Sequence, residues 1–213
     1  MPQNFCVIIG DIVRSKSIPD REAAQEKLKS AMERVNTDFA SDFWAPFVIT
    51  RGDEIAAVLT SFVQVNDMMN ELQRNFSPYR LRFGIAWGEL TTALESRLAT
   101  EIDGPAFYAA SAMIDKAREK NKLAYFQLGN AVLDRAVSSL KNAIGLLQSS
   151  WTLRQTEVFY KFVELRNQYD VARLLKIKQP TVKKTLNSIH FKEILSLEED
   201  VSYLLQNYNS VCA

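Results

Sequence analysis

The sequence predicts an α+β fold, in which a ferredoxin-like domain is followed by a smaller all-α helix-turn-helix domain. Residues 4–88 alternate short apolar runs with amphipathic stretches in the order β-α-β-β-α-β. This order is typical of the split βαβ arrangement, an antiparallel sheet that helices cover on one face. From residue 152 onward the apolar spacing is helical. The pair Ser149-Ser150 is a weak boundary signal, so we expect two domains, at residues 1–148 and 149–213.

Two acidic residues end apolar runs of the predicted sheet. Residues 48–59 form two apolar runs around a polar turn, a pattern typical of a β-hairpin in which Gly52 allows positive φ and Asp53 lies at the tip. The first strand likewise ends in Asp11. The split βαβ order puts these strands side by side, and we therefore expect Asp11 and Asp53 to lie close enough to share a divalent cation.

The other elements follow from caps and apolar spacing. Asp20 is a candidate N-cap for a helix that begins at Arg21, and Gly104-Pro105 opens another helix in the manner of proline in a first turn. The remaining predicted elements are a helix at 63–76, a strand at 80–88, a strand at 124–127 and a helix at 131–147.

The C-terminal residues have the spacing of a helix-turn-helix. Thr152 to Gln155 fits a capping box at the start of one helix. Residues 170–186 then predict two short helices, with Val182 and Leu186 facing inward on the second. The turn carries Lys176 where glycine is usual, and a left-handed backbone there would be strained by roughly 1 kcal/mol. A last helix is expected from Leu197 to Tyr208.

Composition narrows the class of protein. The chain has 213 residues, of which 47% are apolar and 24% charged, as in ordinary globular proteins. No apolar run approaches a membrane span, and the first residues do not resemble a signal peptide. Cys6 lies in an apolar strand and Cys212 is next to last, so we expect no disulfide framework, and with one histidine, His190, there is no zinc spacing. These observations predict a cytoplasmic protein without membrane contact.

Charge is unevenly distributed along the chain. The formal net charge is +1, but residues 1–150 carry 17 basic and 18 acidic side chains. Between Arg173 and Lys192 there are six basic residues and no acid, which favours local attraction to phosphates, although lysines on a helix often serve solubility alone. The DNA contacts that we predict are Lys176, Lys178, Gln179, Thr181, Lys183 and Lys184. Because a single helix-turn-helix rarely binds tightly enough, we also expect a homodimer.

Four motifs resemble those of a known family: GDIVRS at 10–15, RGDE at 51–54, RFGIAWG at 82–88 and GPAF at 104–107. With them the N-terminal part resembles the SatD family and, more distantly, the catalytic domain of class III nucleotidyl cyclases. The resemblance implies a cyclase-like domain that holds Mg²⁺ and a nucleotide. By resemblance the metal ligands are Asp11, Asp53 and the carbonyl of Ile12, and the nucleotide contacts are Val13, Arg14, Ser15 and Glu101.

The departures from the cyclase pattern concern catalysis. In cyclases the helix after the glycine carries an Asn and, four residues later, an Arg that stabilises the transition state. Aligned on Gly104, these positions are Tyr108 and Ala112, and losing such a donor commonly costs on the order of a hundredfold in rate. Lys116, one turn beyond Ala112, is a possible substitute.

We therefore interpret the chain as a DNA-binding transcriptional regulator whose degenerate cyclase-like domain senses an effector or dimerises. The effector would be a small molecule or nucleotide. The alternative is an enzyme, a Mg²⁺-dependent nucleotidyl or phosphoryl transferase that uses Asp11 and Asp53. A third interpretation treats the N-terminal domain as a scaffold that dimerises and binds no ligand.

Overall fold

A five-stranded sheet forms the centre of the N-terminal part. The computed structural model describes residues 4–207. The strands are β1 (Asn4–Ile12), β2 (Phe43–Arg51), β3 (Glu54–Leu59), β4 (Leu81–Glu89) and β5 (Ala124–Gln127), in the spatial order β2-β3-β1-β4-β5. The first four strands are antiparallel, as predicted, and β5 adds a parallel edge beside β4.

Eight helices surround or follow this sheet in the described part of the chain. They are α1 (Arg21–Asp38), α2 (Val65–Phe76), α3 (Pro105–Glu119), α4 (Ala131–Ser149), α5 (Leu153–Leu165), α6 (Gln168–Leu174), α7 (Gln179–Ser188) and α8 (Phe191–Gln206). Two predicted caps are confirmed. The Asp20 carboxylate accepts a hydrogen bond from the Ala23 amide at 2.9 Å, and Thr152 and Gln155 form the reciprocal capping box of α5.

Helices cover both faces of the sheet, and the prediction of one covered face was wrong. Helices α1 and α2 pack on one face, in a core that includes Ile8 and Leu72. Helix α3 packs on the other face, against Val7 and its neighbours. Successive side chains of a strand point to opposite faces, so β1, which is buried at every position after Asn4, requires cover on both sides.

The contact between β4 and α3 depends on one glycine. A Cβ atom on Gly84 would lie 2.3 Å from the Ala110 carbonyl oxygen and 2.3 Å from the Ile114 nitrogen. No side chain fits there, because both neighbours are backbone atoms of the helix. Gly84 therefore sets how closely α3 approaches the sheet, and with it the position of the residues at the end of α3.

The C-terminal helices form a third core. Val158 of α5, Val171 of α6 and the inward pair Val182 and Leu186 of α7 are buried together, with Ile144 of α4 added from the preceding helix. The inward positions on α7 are those that the spacing predicted. Helix α4 thus contributes side chains to this core and also to the core that α1 and α2 form with the sheet.

Helix α8 returns to the N-terminal part. It begins at Phe191, six residues before the predicted start, and Val201 and Leu205 on its second half are buried in the core beneath α2. The predicted last residue of this helix, Tyr208, lies outside the described residues, as does Cys212. Within residues 4–207, no helix has the length and hydropathy required to cross a bilayer.

Candidate functional site

The predicted hairpin places an acidic side chain opposite Asp11. Gly52 has φ +60°, as the turn between β2 and β3 requires, and Asp53 follows it in the turn. The register of β1 and β3 pairs Asp11 with Glu54. The carboxylate directly across the sheet from Asp11 is therefore that of Glu54, with Asp53 one residue further into the turn.

A cation from α3 lies between these carboxylates. The Arg118 Nε donates to an Asp11 oxygen at 3.1 Å, and one terminal nitrogen donates to Glu54 at 2.9 Å. The other terminal nitrogen donates to Asp115 at 2.7 Å. A second arginine, Arg82 on β4, places a nitrogen 3.9 Å from Asp11. We call Asp11, Glu54, Asp115 and Arg118 the carboxylate site.

Arg118 is held firmly as a cation. Burial acts to lower its pKa, but the hydrogen bonds to Asp11 and Glu54 outweigh burial and raise the pKa above its ordinary value. The pKa of Arg82 is lowered, because burial outweighs the attraction of Asp11. The Asp11 side chain is 12% exposed, so its negative charge is compensated inside the protein rather than by water.

A guanidinium thus occupies the space between the carboxylates that a divalent cation would need. Residues 4–207 contain no group of three or more His, Cys, Asp or Glu side chains arranged to hold a metal. The arrangement fits Mg²⁺ only after Arg118 moves away. Binding of Mg²⁺ by Asp11, the Ile12 carbonyl and Asp53 stays a prediction.

The predicted nucleotide contacts lie in two separate segments. After β1 the chain turns through Arg14, which has φ +56°, into a short 3-10 turn at Ser15–Ser17. The Val13 amide, which we expected to face phosphate, donates instead to the Arg80 carbonyl at 2.9 Å. Glu101 is exposed in the connection between β4 and α3. Nucleotide contact by Val13, Arg14, Ser15 and Glu101 stays a prediction.

Of the two residues at the cyclase catalytic positions, one bonds to a neighbouring carboxylate and the other is exposed. The Tyr108 hydroxyl donates to the Asp103 carboxylate at 2.7 Å on the surface, and Ala112 is exposed. Lys116, considered as a substitute cation, places its ammonium 4.3 Å from the centre of the Tyr125 ring. The cation that reaches the carboxylates is Arg118, further along the same helix.

A basic surface covers the turn between α6 and α7, the outer side of α7 and the first turn of α8. We call Lys176, Lys178, Lys183, Lys184 and Lys192 the lysine surface. All five are exposed, and none has an ion-pair partner in the described part of the chain. Thr181 is also exposed, whereas Gln179 is partly buried and its amide donates to Gln168 at 2.8 Å.

The turn before α7 has the geometry of a helix C-cap. Lys176 has φ +53°. Its backbone is therefore left-handed, which is the case in which we expected strain. Its amide donates to the Arg173 carbonyl at 3.3 Å, and the Ile177 amide donates to the Ala172 carbonyl at 2.9 Å. These two bonds form a Schellman motif with Lys176 at the position that glycine usually occupies. The turn therefore retains a lysine at a strained position.

Sequence reasoning missed two cations that pair with largely buried carboxylates. Arg118 is 107 residues from Asp11, and nothing local links them. Lys141 is 1% exposed and bonds to Glu198 of α8 at 2.8 Å and to Asn70 of α2 at 2.9 Å. One signal pointed to Lys141: it lies four residues after Val137, on the buried stripe of α4.

Several solved structures are similar to part of this chain at low sequence identity. One match is a bacterial light-regulated adenylyl cyclase, at 13% identity and TM-score 0.41, covering 59% of this chain and 76% of that one. Another is the monomeric guanylyl cyclase domain of the RhoGC fusion protein from the aquatic fungus Blastocladiella emersonii, at 14% identity and TM-score 0.41, covering 60% and 81%. A third is an EAL/GGDEF domain protein from M. capsulatus, at 15% identity and TM-score 0.42, covering 60% and 86%.

These similarities concern the mixed α+β architecture and nothing finer. No curated protein sequence matches the chain. One family model does, over nearly the full described length, at residues 5–204. The chain belongs to the SatD family.

Proposed function

We propose that this protein binds DNA through the lysine surface and acts as a transcriptional regulator. The observation that carries the proposal is a set of five exposed lysines without carboxylate partners. Lysines that the fold does not neutralise remain available for phosphates, whose contacts dominate the affinity of proteins for DNA.

The shape of the C-terminal helices supports the same proposal. Val182 and Leu186 anchor α7 to the third core, so Thr181 and Lys184 lie on the side that faces solvent. A short helix held by its inner face, after a tight turn, is the geometry with which a helix-turn-helix enters the major groove. Thr181 and Lys184 would then reach base edges or phosphates, and Lys176 and Lys178 in the turn would contact the backbone.

Gln179 takes a different part in this proposal. Its bond to Gln168 joins the first turns of α6 and α7, as a positioning contact within the motif would. The predicted homodimer remains part of the proposal, because two copies of α7 on one duplex would supply the affinity that one lacks.

The test is a charge reversal on α7. Lys183→Glu with Lys184→Glu should weaken binding to a short random-sequence duplex at every salt concentration, because phosphate contacts are lost. The slope of log affinity against log salt is negative, and its magnitude should decrease by about 1.8 if each lysine neutralises one phosphate. Fluorescence anisotropy of a labelled duplex measures both quantities.

The matched control carries the same change of charge elsewhere. Lys120→Glu with Lys122→Glu alters two exposed lysines near the end of α3, and it should leave the salt slope unchanged. Equal loss of binding in the two double variants would mean that total charge, not the lysine surface, determines affinity. Failure of the wild-type chain to bind any duplex at low salt would end the proposal.

A second candidate function is a Mg²⁺-dependent nucleotidyl or phosphoryl transfer at the carboxylate site. It is favoured by the opposed carboxylates of Asp11 and Glu54 at the end of a sheet with the cyclase-like mixed fold. In this function Asp11 and Asp53 would hold the metal and Arg118 would withdraw. When bound, the metal would supply charge neutralisation for the phosphates of the substrate.

The two functions make opposite predictions for one assay. We expect no turnover when the protein is incubated with Mg²⁺ or Mn²⁺ and each nucleoside triphosphate in turn. Turnover that Asp53→Asn abolishes, with the fold intact by circular dichroism, would establish the enzyme instead. Arg118→Gln clears the space between the carboxylates, so thermal stabilisation of this variant by Mg²⁺ alone would locate the metal there.

A further inference from the structure

A cleft of about 750 Å³ lies where the sheet meets the C-terminal helices. Its walls come from α2, the start of β4, α4, α5 and α8. The volume lies in the range of small-molecule sites, which often form between substructures. None of the residues predicted from the sequence as site residues lines it.

A cation without an ion-pair partner lines this cleft. Arg80 precedes β4, and one guanidinium nitrogen donates to the Gly145 carbonyl at 3.1 Å. No carboxylate in residues 4–207 is within ion-pair distance of it. Burial lowers the pKa of Arg80, because the charge is partly desolvated and no carboxylate is paired with it. An anion in the cleft would supply that compensation.

A hydroxyl donor lies near the same cation. Tyr160 of α5 lines the cleft, and its hydroxyl has no hydrogen-bond partner among the described residues. Burial raises the pKa of Tyr160, Glu198 adds to the rise, and Arg80 opposes it. The phenol therefore keeps its proton at neutral pH, and it lies within electrostatic range of Arg80. Together they offer an anion one charge-assisted and one neutral hydrogen bond.

The wall formed by α2 contains a buried acceptor without a donor. Asn66 of α2 is 1% exposed, and its amide nitrogen donates to the Glu198 carbonyl at 3.1 Å and to Ser202 at 3.0 Å. Its Oδ1 is the one buried side-chain polar atom in residues 4–207 that accepts no hydrogen bond. Buried polar atoms are nearly always satisfied, so an N–H or O–H group of a ligand would complete this site.

The remaining walls are aromatic, and their largely buried carboxylates are paired with cations. Trp151 and Phe159 line the cleft with their rings 4.8 Å apart, edge to face. Glu198 is neutralised by Lys141. The Glu71 carboxylate likewise bonds to Arg74. Asp67, Glu199 and Arg166 also line the cleft, but they are exposed and have no ion-pair partner among residues 4–207. The aromatic wall suits a flat apolar body, and the partly buried charge left without an ion-pair partner is that of Arg80.

We propose that this cleft binds a small aromatic anion that carries one hydrogen-bond donor. The acidic group lies at Arg80 and Tyr160, the aromatic body contacts Trp151 and Phe159, and the donor group reaches Oδ1 of Asn66. Two kinds of compound have this chemistry, an aromatic carboxylate and a nucleoside monophosphate. The site is independent of the lysine surface and does not rest on DNA binding.

The first experiment uses 1-anilinonaphthalene-8-sulfonate, an aromatic sulfonate with one N–H group, as a fluorescent probe of the full chain. We expect one molecule bound per chain and an affinity about tenfold lower for Arg80→Gln. The control is Arg135→Gln, because Arg135 is exposed on α4 and lies outside the cleft. It should bind the probe within about twofold of wild type. Equal affinity in wild type and Arg80→Gln would overturn the proposal.

The second experiment needs no variant, so it holds even if Arg80→Gln fails to fold. Indole-3-acetate and indole-3-acetamide share a shape and differ in charge, and AMP represents the nucleotides. We expect displacement of the probe by indole-3-acetate or by AMP, and none by the neutral amide at the same concentration. Which anion competes identifies the source of the ligand. Equal displacement by acid and amide, or displacement by neither anion, would refute an anion site.

Discussion

The carboxylate site and the lysine surface use charge in opposite ways. At the carboxylate site the donors of Arg118 are divided among Asp11, Glu54 and Asp115, and the local charges compensate one another. On the lysine surface five ammonium groups face solvent and compensate nothing in the described part of the chain. The first arrangement stabilises the fold, whereas the second leaves its charges to solvent.

The difference distinguishes charges that the fold requires from charges available to a partner. A buried ion pair is destabilising to break, because the remaining charge is left without water or partner. An exposed lysine is nearly neutral for stability. Variants of the two regions should therefore separate stability from binding, and the predictions below run from the largest expected effect to the smallest.

The most damaging single change should be Lys141→Met, at an ion pair that lies outside both regions and is more deeply buried than the carboxylate site. Lys141 is 1% exposed and neutralises Glu198. Its removal leaves a largely buried carboxylate unpaired, so we expect a loss of about 3 kcal/mol in the free energy of unfolding. Urea denaturation measures it. The control Lys122→Met, at an exposed site, should change stability by less than about 0.5 kcal/mol, and similar values for both would contradict the comparison.

A smaller loss is expected for Arg118→Gln. Asp11 loses its closest cation but keeps Arg82 at 3.9 Å, and Arg118 itself is 37% exposed, so water compensates part of the change. We expect a loss of about 1–2 kcal/mol by urea denaturation. Unchanged or increased stability would show that Arg118 is poised for a partner, as the lysines are, and would strengthen the metal-binding candidate.

The smallest effect on stability should accompany a clear effect on binding. Lys176→Gly removes the strain of φ +53° and should stabilise the chain by up to about 1 kcal/mol. It should also weaken DNA binding and lower the salt slope by about 0.9. Lys178→Gly removes the same charge from an extended residue, φ −78°, so it should weaken binding without stabilising. If Lys176→Gly leaves DNA binding intact, Lys176 makes no phosphate contact.

Local signals predicted most of the secondary structure. The caps at Asp20 and Thr152 act over three residues, and the hairpin turn has its positive φ at Gly52, so short stretches of sequence determine them. The left-handed turn at Lys176 was predicted as a strained possibility and is present. The inward pair on α7 followed from helical periodicity.

Contacts between distant segments were not predictable in this way. The bond between Arg118 and Asp11 depends on how closely Gly84 lets α3 approach the sheet, which no short-range pattern encodes. The return of α8 to the first core is of the same kind. Cover on both faces of the sheet had a signal, since residues 5–9 form an unbroken apolar run, which is typical of a strand buried on both sides.

The return of α8 has a practical consequence for dividing this protein into pieces. A fragment ending at residue 148 would lack Val201 and Leu205, which fill the first core, and would leave Lys141 without its carboxylate. The apolar side of α2 and the unpaired ammonium of Lys141 would then be exposed to water. Such a fragment should aggregate or unfold at a lower temperature than the full chain. Only a piece that supplies α8, even as a separate peptide, should restore its stability.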